Sequence, residues 1–362
     1  MIKKNDMTLN LKNKQWKEFV FEDFFEIHST SSGIDRNKLL TSKGNIPYIT
    51  RSDKDNGFDT FVSVQNNNYS TDEPNVITVG LDTQTVFYQP NRFYTGQNVQ
   101  ILKNDFLNEE VAQFLIPLIR RQMEKFSWGG NGATLTRLRR SKILVPISSD
   151  GTPDYSFMEA FINQKEKEKI EKYHLYIKKR LKKVKSPKSN LPLDAKEWKE
   201  FEIGKLFNLS QGKSKGLNHL NKTKQGVNYL GATNQNNGVL CQVEKDEKLM
   251  HKGNGIAFIR NGEGSMGYSV YKEEDFIATS DISVGYNQNL NRHTGLFITT
   301  VADKVRGKYN FGYKRSGNRL KKEKILLPIN EHNAPDFSFM ENYMKQLEYK
   351  KLSDYLKIKQ TV

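Results

Sequence analysis

The chain of 362 residues has one cysteine, Cys241, so no disulfide can form within it. It has no Pro-Pro pair, and therefore lacks the Asn/Asp-Pro-Pro-aromatic signature of amino-group methylation. It carries no P-loop glycine pattern. No apolar run approaches the roughly 20 residues needed to cross a bilayer. The opening stretch MIKKNDMTLNLKNKQ is polar, without the apolar centre of a secretory signal. Histidines 28, 174, 219, 251, 293 and 332 are scattered and suggest no zinc site. A cytoplasmic protein with no membrane part, no metal and no cofactor of its own is expected.

Acidic residues are also scarce relative to basic ones, 41 against 57, giving a formal charge of +16. Such an excess favours a polyanionic partner, although a Lys-rich but ordinary surface produces the same sum. Location sharpens the point. Residues 163–190 hold eleven Lys/Arg and three Glu, half of the net charge in one segment. That segment has three readings: a solvated helix face, a contact with a DNA backbone, or a contact with an acidic protein partner.

What the sequence does contain is itself, twice. With an offset of about 182 positions, TLNLKNKQWKEFVFEDFFEI (8–27) falls on NLPLDAKEWKEFEIGKLFNL (190–209). NIPYITRSDKDNG falls on GVNYLGATNQNNG, NRFYTGQNVQIL on EDFIATSDISVG, KFSWGG on KYNFGY, and TRLRRSKILVPI on NRLKKEKILLPI. The last anchor is the closest: Pro153–Glu159 and Pro335–Glu341 differ only at Tyr155/Phe337. Anchors in one order at one offset indicate a duplication. They are aromatic, aliphatic, Gly or Pro, the residues of cores and turns. The stretches between them, such as TSSGIDRNKLLTSKG against GKSKGLNHLNKTKQG, share little. One scaffold carries two different polar surfaces.

Within each copy, β-branched and aromatic runs bounded by Asn, Gly, Asp and Pro read as strands: 75–80, 85–88 and 98–102, then GIAFIRNG, MGYSVY and DFIATSDISV. RNGEGSMG (260–267) reads as a hairpin turn. NEEVAQFLIPLIRRQMEKF (108–126) has helical spacing, with Pro117 as a kink or break. SWGGNGATL is a loop, and KILVP and KILLP are short closing strands. Asp154 or Ser156 can cap a helix over 157–185, and Asp336 or Ser338 one over 339–358. In the first, Ile170, Tyr173, Ile177, Leu181 and Val184 step by 3, 4, 4 and 3, close to a heptad seam. In the second, Met340, Tyr343, Met344, Leu347, Tyr355 and Leu356 line one side. Amphipathic helices of this length need a partner in water, and the simplest is each other. The longer spans roughly 40 Å, close to one turn of B-DNA at about 34 Å.

Paired WKEF openings, GNGATLTRLRRSKILVP with its partner GYKRSGNRLKKEKILLP, and a long helix after each copy give a pattern that resembles the specificity (S) subunits of restriction-modification systems. The resemblance covers nearly the whole chain. The helix starts, PISSDGTPDYSFMEAF and PINEHNAPDFSFMENY, lack the Pro-rich turn with a Glu-Gln pair of many type I subunits. They look more like those of type IIB (BcgI-like) subunits. The resemblance implies an α+β fold: two α/β target-recognition domains, each followed by a long helix, the helices packed as an antiparallel coiled coil with pseudo-twofold symmetry. The expected limits are domain 1 at 1–152, spacer helix and linker at 153–190, domain 2 at 191–334 and second helix at 335–362. It further implies a non-catalytic subunit. Each domain would read half of a bipartite site in double-stranded DNA. The helices would set the gap and dock two methyltransferase or fused nuclease-methyltransferase subunits, which bind S-adenosylmethionine.

Two rivals stand beside this. Asp336 with Glu348-x-Lys350 superficially matches a metal-dependent nuclease motif, but lies in a helical pattern rather than on a strand, and the first copy has Glu168 where the lysine belongs. An RNA-binding or scaffolding repeat protein is the other, though no sheet-borne aromatic stacking signature is present.

Base reading calls for forked donors on loops, and phosphate contacts for Lys, Arg and hydroxyls. In the first copy the candidates are Lys38, Lys43, Thr50, Arg51, Gln84, Arg92, Gln97, Asn131, Arg137, Arg139 and Arg140, with Trp128 or Tyr94 to stack or wedge. In the second they are Lys213, Lys215, Lys222, Asn234, Asn236, Arg260, Asn261, Lys314, Arg315, Asn318 and Arg319. The bland reading of each is a solvated surface residue. TRLRR and YKRSGNRLKK recur at one place in both copies and are the strongest clusters. The matched pair Arg137/Arg319 should serve a shared role, phosphate contact or structure. Unmatched residues should carry specificity.

Overall fold

The computed structural model describes residues 9–66, 68–126, 132, 134–184 and 192–358. The chain forms two compact units, Met1–Tyr173 and His174–Val362, and the division falls inside a helix. Module 1 begins β1 (Trp16–Val20), α1 (Phe21–Phe24), β2 (Glu26–Ser29), β3 (Ile46–Ile49), β4 (Phe58–Val62) and β5 (Val76–Gly80). It continues β6 (Val86–Gln89), β7 (Tyr94–Thr95), β8 (Val99–Lys103), α2 (Glu109–Met123), α3 (Leu135–Arg139) and β9 (Lys142–Pro146), and α4 (Tyr155–Val184) starts in it and ends in module 2. Module 2 follows with β10 (Trp198–Glu202), α5 (Ile203–Leu206), β11 (Asn208–Gln211), β12 (Lys222–Leu230), β13 (Val239–Val243), β14 (Met250–His251) and β15 (Gly255–Ile259). It ends β16 (Ser269–Lys272), β17 (Phe276–Ala278), β18 (Ile282–Tyr286), α6 (Arg292–Ala302), α7 (Gly317–Lys322), β19 (Lys324–Pro328) and α8 (Phe337–Ile358).

The duplication holds strand by strand. Module 1 pairs its strands as β2-β8-β5-β6, β4-β3-β7 and β1-β9; module 2 pairs them as β11-β18-β15-β16, β13-β12-β17-β14 and β10-β19. Module 2 adds the two-residue β14. Trp16 stands opposite Pro146 and Trp198 opposite Pro328, so the register is kept as well. β5 and β15 lie inside their sheets and are buried along their whole length, which accounts for the unbroken apolar runs VITVG and GIAFI. The DNG and NNG anchors have a backbone cause. Asp55, Asn56 and Gly57 have φ of 49°, 58° and 75°; Asn236, Asn237 and Gly238 have 47°, 54° and 78°. Only Gly, Asn and Asp enter that left-handed region at little cost. The loop 260–267 joins β15 to β16 as the hairpin expected. α2 runs on through Pro117 rather than breaking there.

The repeated phrase forms the joint that fixes each long helix to its module. Asp154 and Asp336 are the caps: Oδ1 of each accepts from the backbone N–H of Phe157 and Phe339, both at 2.9 Å. Lys14 reaches Asp154 at 2.5 Å and Lys196 reaches Asp336 at 2.7 Å. The same two ammonium groups sit over the rings of Phe157 and Phe339, at 4.9 and 5.2 Å. Burial acts to raise the Asp154 carboxyl, but Lys14 and the Phe157 N–H outweigh it and hold the pKa below its ordinary value. Met158 and Met340 are fully buried in the two cores. Asn108 and Asn291, which cap α2 and α6, donate to Glu159 and Glu341 at 3.2 and 3.0 Å. Trp16 stacks on Phe114 at 6.2 Å and Trp198 on Phe297 at 6.1 Å. The aspartate and the glutamate of the phrase thus each keep a partner that repeats.

The last eleven residues of α4, from His174 on, belong to module 2 and run beside α8. His174 meets the ring of Tyr355 at 5.9 Å, and Arg180 pairs through two hydrogen bonds with Glu348. Going up one helix means going down the other, so this stretch is antiparallel. Ile177 and Val184 are buried, as the heptad spacing predicts, whereas Tyr173 is 44% exposed and His174 takes the inward place. On α8, Leu347 lies outside the expected stripe, 38% exposed.

Candidate nucleic-acid interface

In module 1, α3 carries Arg137 and Arg139 of TRLRR, with Arg140 at its C-cap and Leu138 fully buried. Arg139 is exposed and donates to the carbonyl of Ile27 at 2.9 Å. Arg137 and Arg140 line a groove of about 520 Å³ together with Gln122, Lys125, Lys142 and Glu18. Four cations against one carboxylate, on an open groove, suit a phosphate-bearing strand. Arg137 also donates to the Gly132 carbonyl at 3.1 Å, and its counterpart Arg319 to the Lys314 carbonyl at 2.8 Å. Each spans five residues back to close the preceding loop. That bond is a structural role the pair shares, and both side chains stay exposed.

In module 2 the equivalent loop is tied down differently. Arg315 has no exposed surface and forms a two-pronged pair with Glu323, at 2.9 Å through Nε and 2.5 Å through Nη2. Its guanidinium also lies over Phe258 at 5.2 Å and Tyr309 at 5.6 Å. The Tyr309 hydroxyl donates to the same carboxylate, and burial together with that carboxylate raises its pKa. Arg315 is thus corrected from DNA contact to core element: every face of it is used inside the module. Tyr94 is corrected likewise. It is 3% exposed on β7, its hydroxyl accepting from the Gln65 N–H, and it cannot wedge into anything.

Among the remaining candidates, Lys38, Lys43, Arg92, Gln97, Arg140, Lys215, Lys222, Asn234, Asn236, Lys314 and Asn318 are exposed. Lys38 lies 3.9 Å from Asp35, and Lys314 sits 5.5 Å over Phe311. Thr50 donates to the Gly57 carbonyl, Arg51 pairs with Asp82, and Gln84 folds back on the carbonyls of Leu81 and Asp82. Lys213 holds the Met250 carbonyl, Arg260 that of Ser280, and Asn261 the carboxylate of Asp281. These engaged residues shape loops first. Trp128 and Asn131 lie outside the described residues. Sequence reasoning missed Phe311, 85% exposed at the end of a loop. The signal was available: KYNFGY laid on KFSWGG places Phe311 at the position of Trp128. It missed Lys125 and Lys142 too, which only the fold brings to Arg137 and Arg140.

The nuclease-like spacing dissolves on inspection. Asp336 caps α8, and Glu348 lies twelve residues further along the same helix, about 18 Å up its axis. Glu348 is occupied by Arg180 and His293; burial acts to raise its carboxyl, and these two partners hold it below its ordinary pKa instead. Among the described residues, no group of three or more His, Cys, Asp or Glu is placed to hold a metal ion. None of the described helices is long and apolar enough to cross a membrane.

Comparison with known proteins agrees with this architecture. The family model for the type I restriction modification DNA specificity domain matches the chain twice, over 13–184 and 195–359. The chain is 27% identical over 340 residues to the type II restriction enzyme specificity subunit S.BcgI of Heyndrickxia coagulans, covering 93% of this chain and 95% of that one. The crystal structure of a type I restriction-modification system S subunit from M. genitalium matches with a TM-score of 0.54 at 16% identity, over 98% of this chain and 95% of that chain. That likeness is one of fold.

Proposed function

The chain belongs to the type I restriction modification DNA specificity domain family, and on that footing we propose that it is the sequence-reading subunit of a restriction-modification complex. Each module reads one half of a split, asymmetric site in double-stranded DNA. α4 and α8 set the gap between the halves and dock methyltransferase subunits, two per chain, about a pseudo-twofold axis. S-adenosylmethionine is bound by those partners, and this chain catalyses nothing. The helix starts PISSDGTPDYSFMEAF and PINEHNAPDFSFMENY, which look like those of type IIB subunits, favour a partner in which nuclease and methyltransferase are fused.

One observation carries the reading. The joints and strand orders are the same in both modules, while the exposed polar loops are not. A scaffold repeated with its contact loops changed is what reading two different half-sites requires. Phosphate contacts can be shared between modules; base contacts cannot.

The test is methylation mapping in cells expressing the chain with its neighbouring methyltransferase. A two-part motif with a fixed gap, lost on deleting this chain, is the expected result. A methylation pattern indifferent to the chain would end the proposal. Removing residues 166–172 from α4 then tests the spacer. Seven residues shorten a helix by about 10 Å while keeping its face within about 20°. The gap should shrink by about three base pairs with both half-sites unchanged; a changed half-site would refute the spacer role.

A further inference from the structure

Phe311 has no reason within the fold to be where it is. It is 85% exposed, the most exposed large apolar side chain among the described residues. Yet it is held firmly. Asn310 and Tyr313 exchange backbone hydrogen bonds of 3.3 and 3.0 Å across a two-residue tip, Phe311-Gly312. The Asn310 side chain accepts from the N–H groups of Gly312 and Tyr313, both at 3.0 Å. Below the tip, Tyr313 stacks on Tyr309 at 6.1 Å with the planes 13° apart, and the Arg319 guanidinium lies 3.8 Å from the Tyr313 ring. Tyr309 in turn donates to Glu323, the partner of buried Arg315. An ion pair in the core, two stacked rings and a tight turn therefore support one exposed phenyl group.

Its surroundings name the partner. From Lys304 to Lys322 there are eight Lys/Arg and no Asp/Glu, and all but Arg315 are exposed. In space, Lys314 lies 5.5 Å over the ring, and Arg306 and Glu263 line the cleft beside it; with seven exposed cations on the segment against that one carboxylate, an apolar protein surface would find little to match. A polyanion whose interior is made of flat aromatic faces matches both features. The duplication supplies an independent indication, since the matching position of module 1 holds Trp128, also aromatic.

We propose that Phe311 is a wedge: it enters a base step of the duplex bound by module 2 and stacks on a base that the step exposes, while the flanking cations hold the phosphates. The inference rests on the reading of the chain as a DNA specificity subunit. It makes Phe311 a positioning and specificity residue that reads how easily a step unstacks, not which edges its bases present.

The experiment uses the chain in complex with its methyltransferase and a duplex carrying the mapped motif. 2-Aminopurine is placed in turn at each position of the half-site read by module 2. Binding of the wild type should brighten one position other than the methylated adenine. Phe311→Ala should abolish that signal and weaken binding about tenfold to a hundredfold, with the slope of affinity against salt unchanged. Phe311→Trp should keep both. Any signal at the methylated adenine, which reports extrusion by the methyltransferase, should survive in all three. Wild-type affinity and fluorescence in Phe311→Ala would overturn the wedge and leave half-site reading intact. Loss of methyltransferase association in Phe311→Ala, with DNA binding by the chain unchanged, would overturn it in favour of a protein contact. If the wild-type complex shows no preference for the mapped duplex, half-site reading falls and the wedge falls with it.

Discussion

The joint where a long helix meets its module is built twice from the same contacts, whereas the residue just before the closing strand is used in two ways. At the joint, Lys14–Asp154 and Lys196–Asp336, Asn108–Glu159 and Asn291–Glu341, Trp16–Phe114 and Trp198–Phe297 correspond pair by pair. In the loop, module 2 buries Arg315 against Glu323. Module 1 has Ser141 in place of that glutamate, its hydroxyl donating to the Arg137 carbonyl at 3.1 Å. The joint determines the direction in which a helix leaves, and an error there moves everything beyond it. Behind the loop, only the arginine bond to a backbone carbonyl is shared, and the remaining support differs.

This contrast gives its largest test at Glu323. Glu323→Ala leaves the Arg315 charge buried without a partner, at a cost of roughly 3–5 kcal/mol. Denaturant unfolding should show the loss in the module 2 transition alone. Replacing both partners at once, with Arg315→Met and Glu323→Leu, should recover most of it. Ser141→Ala in module 1 should stay within about 0.5 kcal/mol of wild type. Equal effects of Glu323→Ala and Ser141→Ala would mean the two loops are anchored alike after all.

The joint should behave in the opposite manner, symmetrically. Met158→Ala and Met340→Ala each empty a fully buried site and should cost roughly 2–5 kcal/mol. Each should lower the melting of its own module by on the order of 10 °C. Similar drops support one joint used twice. A drop in one module only would show that the repeated phrase has drifted in function despite its near-identity.

What was legible in the sequence divides along the same line. The strand segments, the capping aspartates and the closing strands could be read because they rest on apolar period, turn chemistry and local caps. Each is fixed by neighbours within a few residues, and the duplication supplied a second copy to check against. Arg315 could not be read. Its burial depends on Glu323, Phe258 and Tyr309, which the fold assembles. Nor could Tyr94 and Phe311 be told apart, since an aromatic between polar residues looks the same whether a sheet covers it or a turn exposes it. For Arg137 and Arg319 the sequence left phosphate contact and structure both open, because loop-closing hydrogen bonds to backbone carbonyls leave no trace in composition.

The smallest expected difference lies at the sheet edge. Asp72 bridges to Phe93 in module 1, and at the matching place His251 of β14 pairs with Phe276 in module 2. His251 is 3% exposed, its ring stacks on Phe276 at 5.6 Å, and its Nε2 has no hydrogen-bond partner among the described residues. Burial first, and the nearby Lys213 ammonium second, push its pKa down to about 4 from an ordinary 6.5. The folded module therefore resists the proton that the unfolded chain accepts. Above pH 6.5 neither state is protonated and His251 leaves stability independent of pH. As the pH falls from 6.5 toward 4 the unfolded state gains the proton and module 2 loses stability; below about 4 both are protonated and this loss stops growing. Between pH 7 and pH 5 the difference should be on the order of 1–2 kcal/mol. Comparing wild type with His251→Phe over that range isolates it from the carboxylates common to both. The variant should show the shallower acid slope in module 2, and module 1 should be indifferent to the substitution. Identical slopes in the two proteins would mean that His251 takes up its proton inside the fold, and the two sheet edges would then differ in sequence but not in their response to acid.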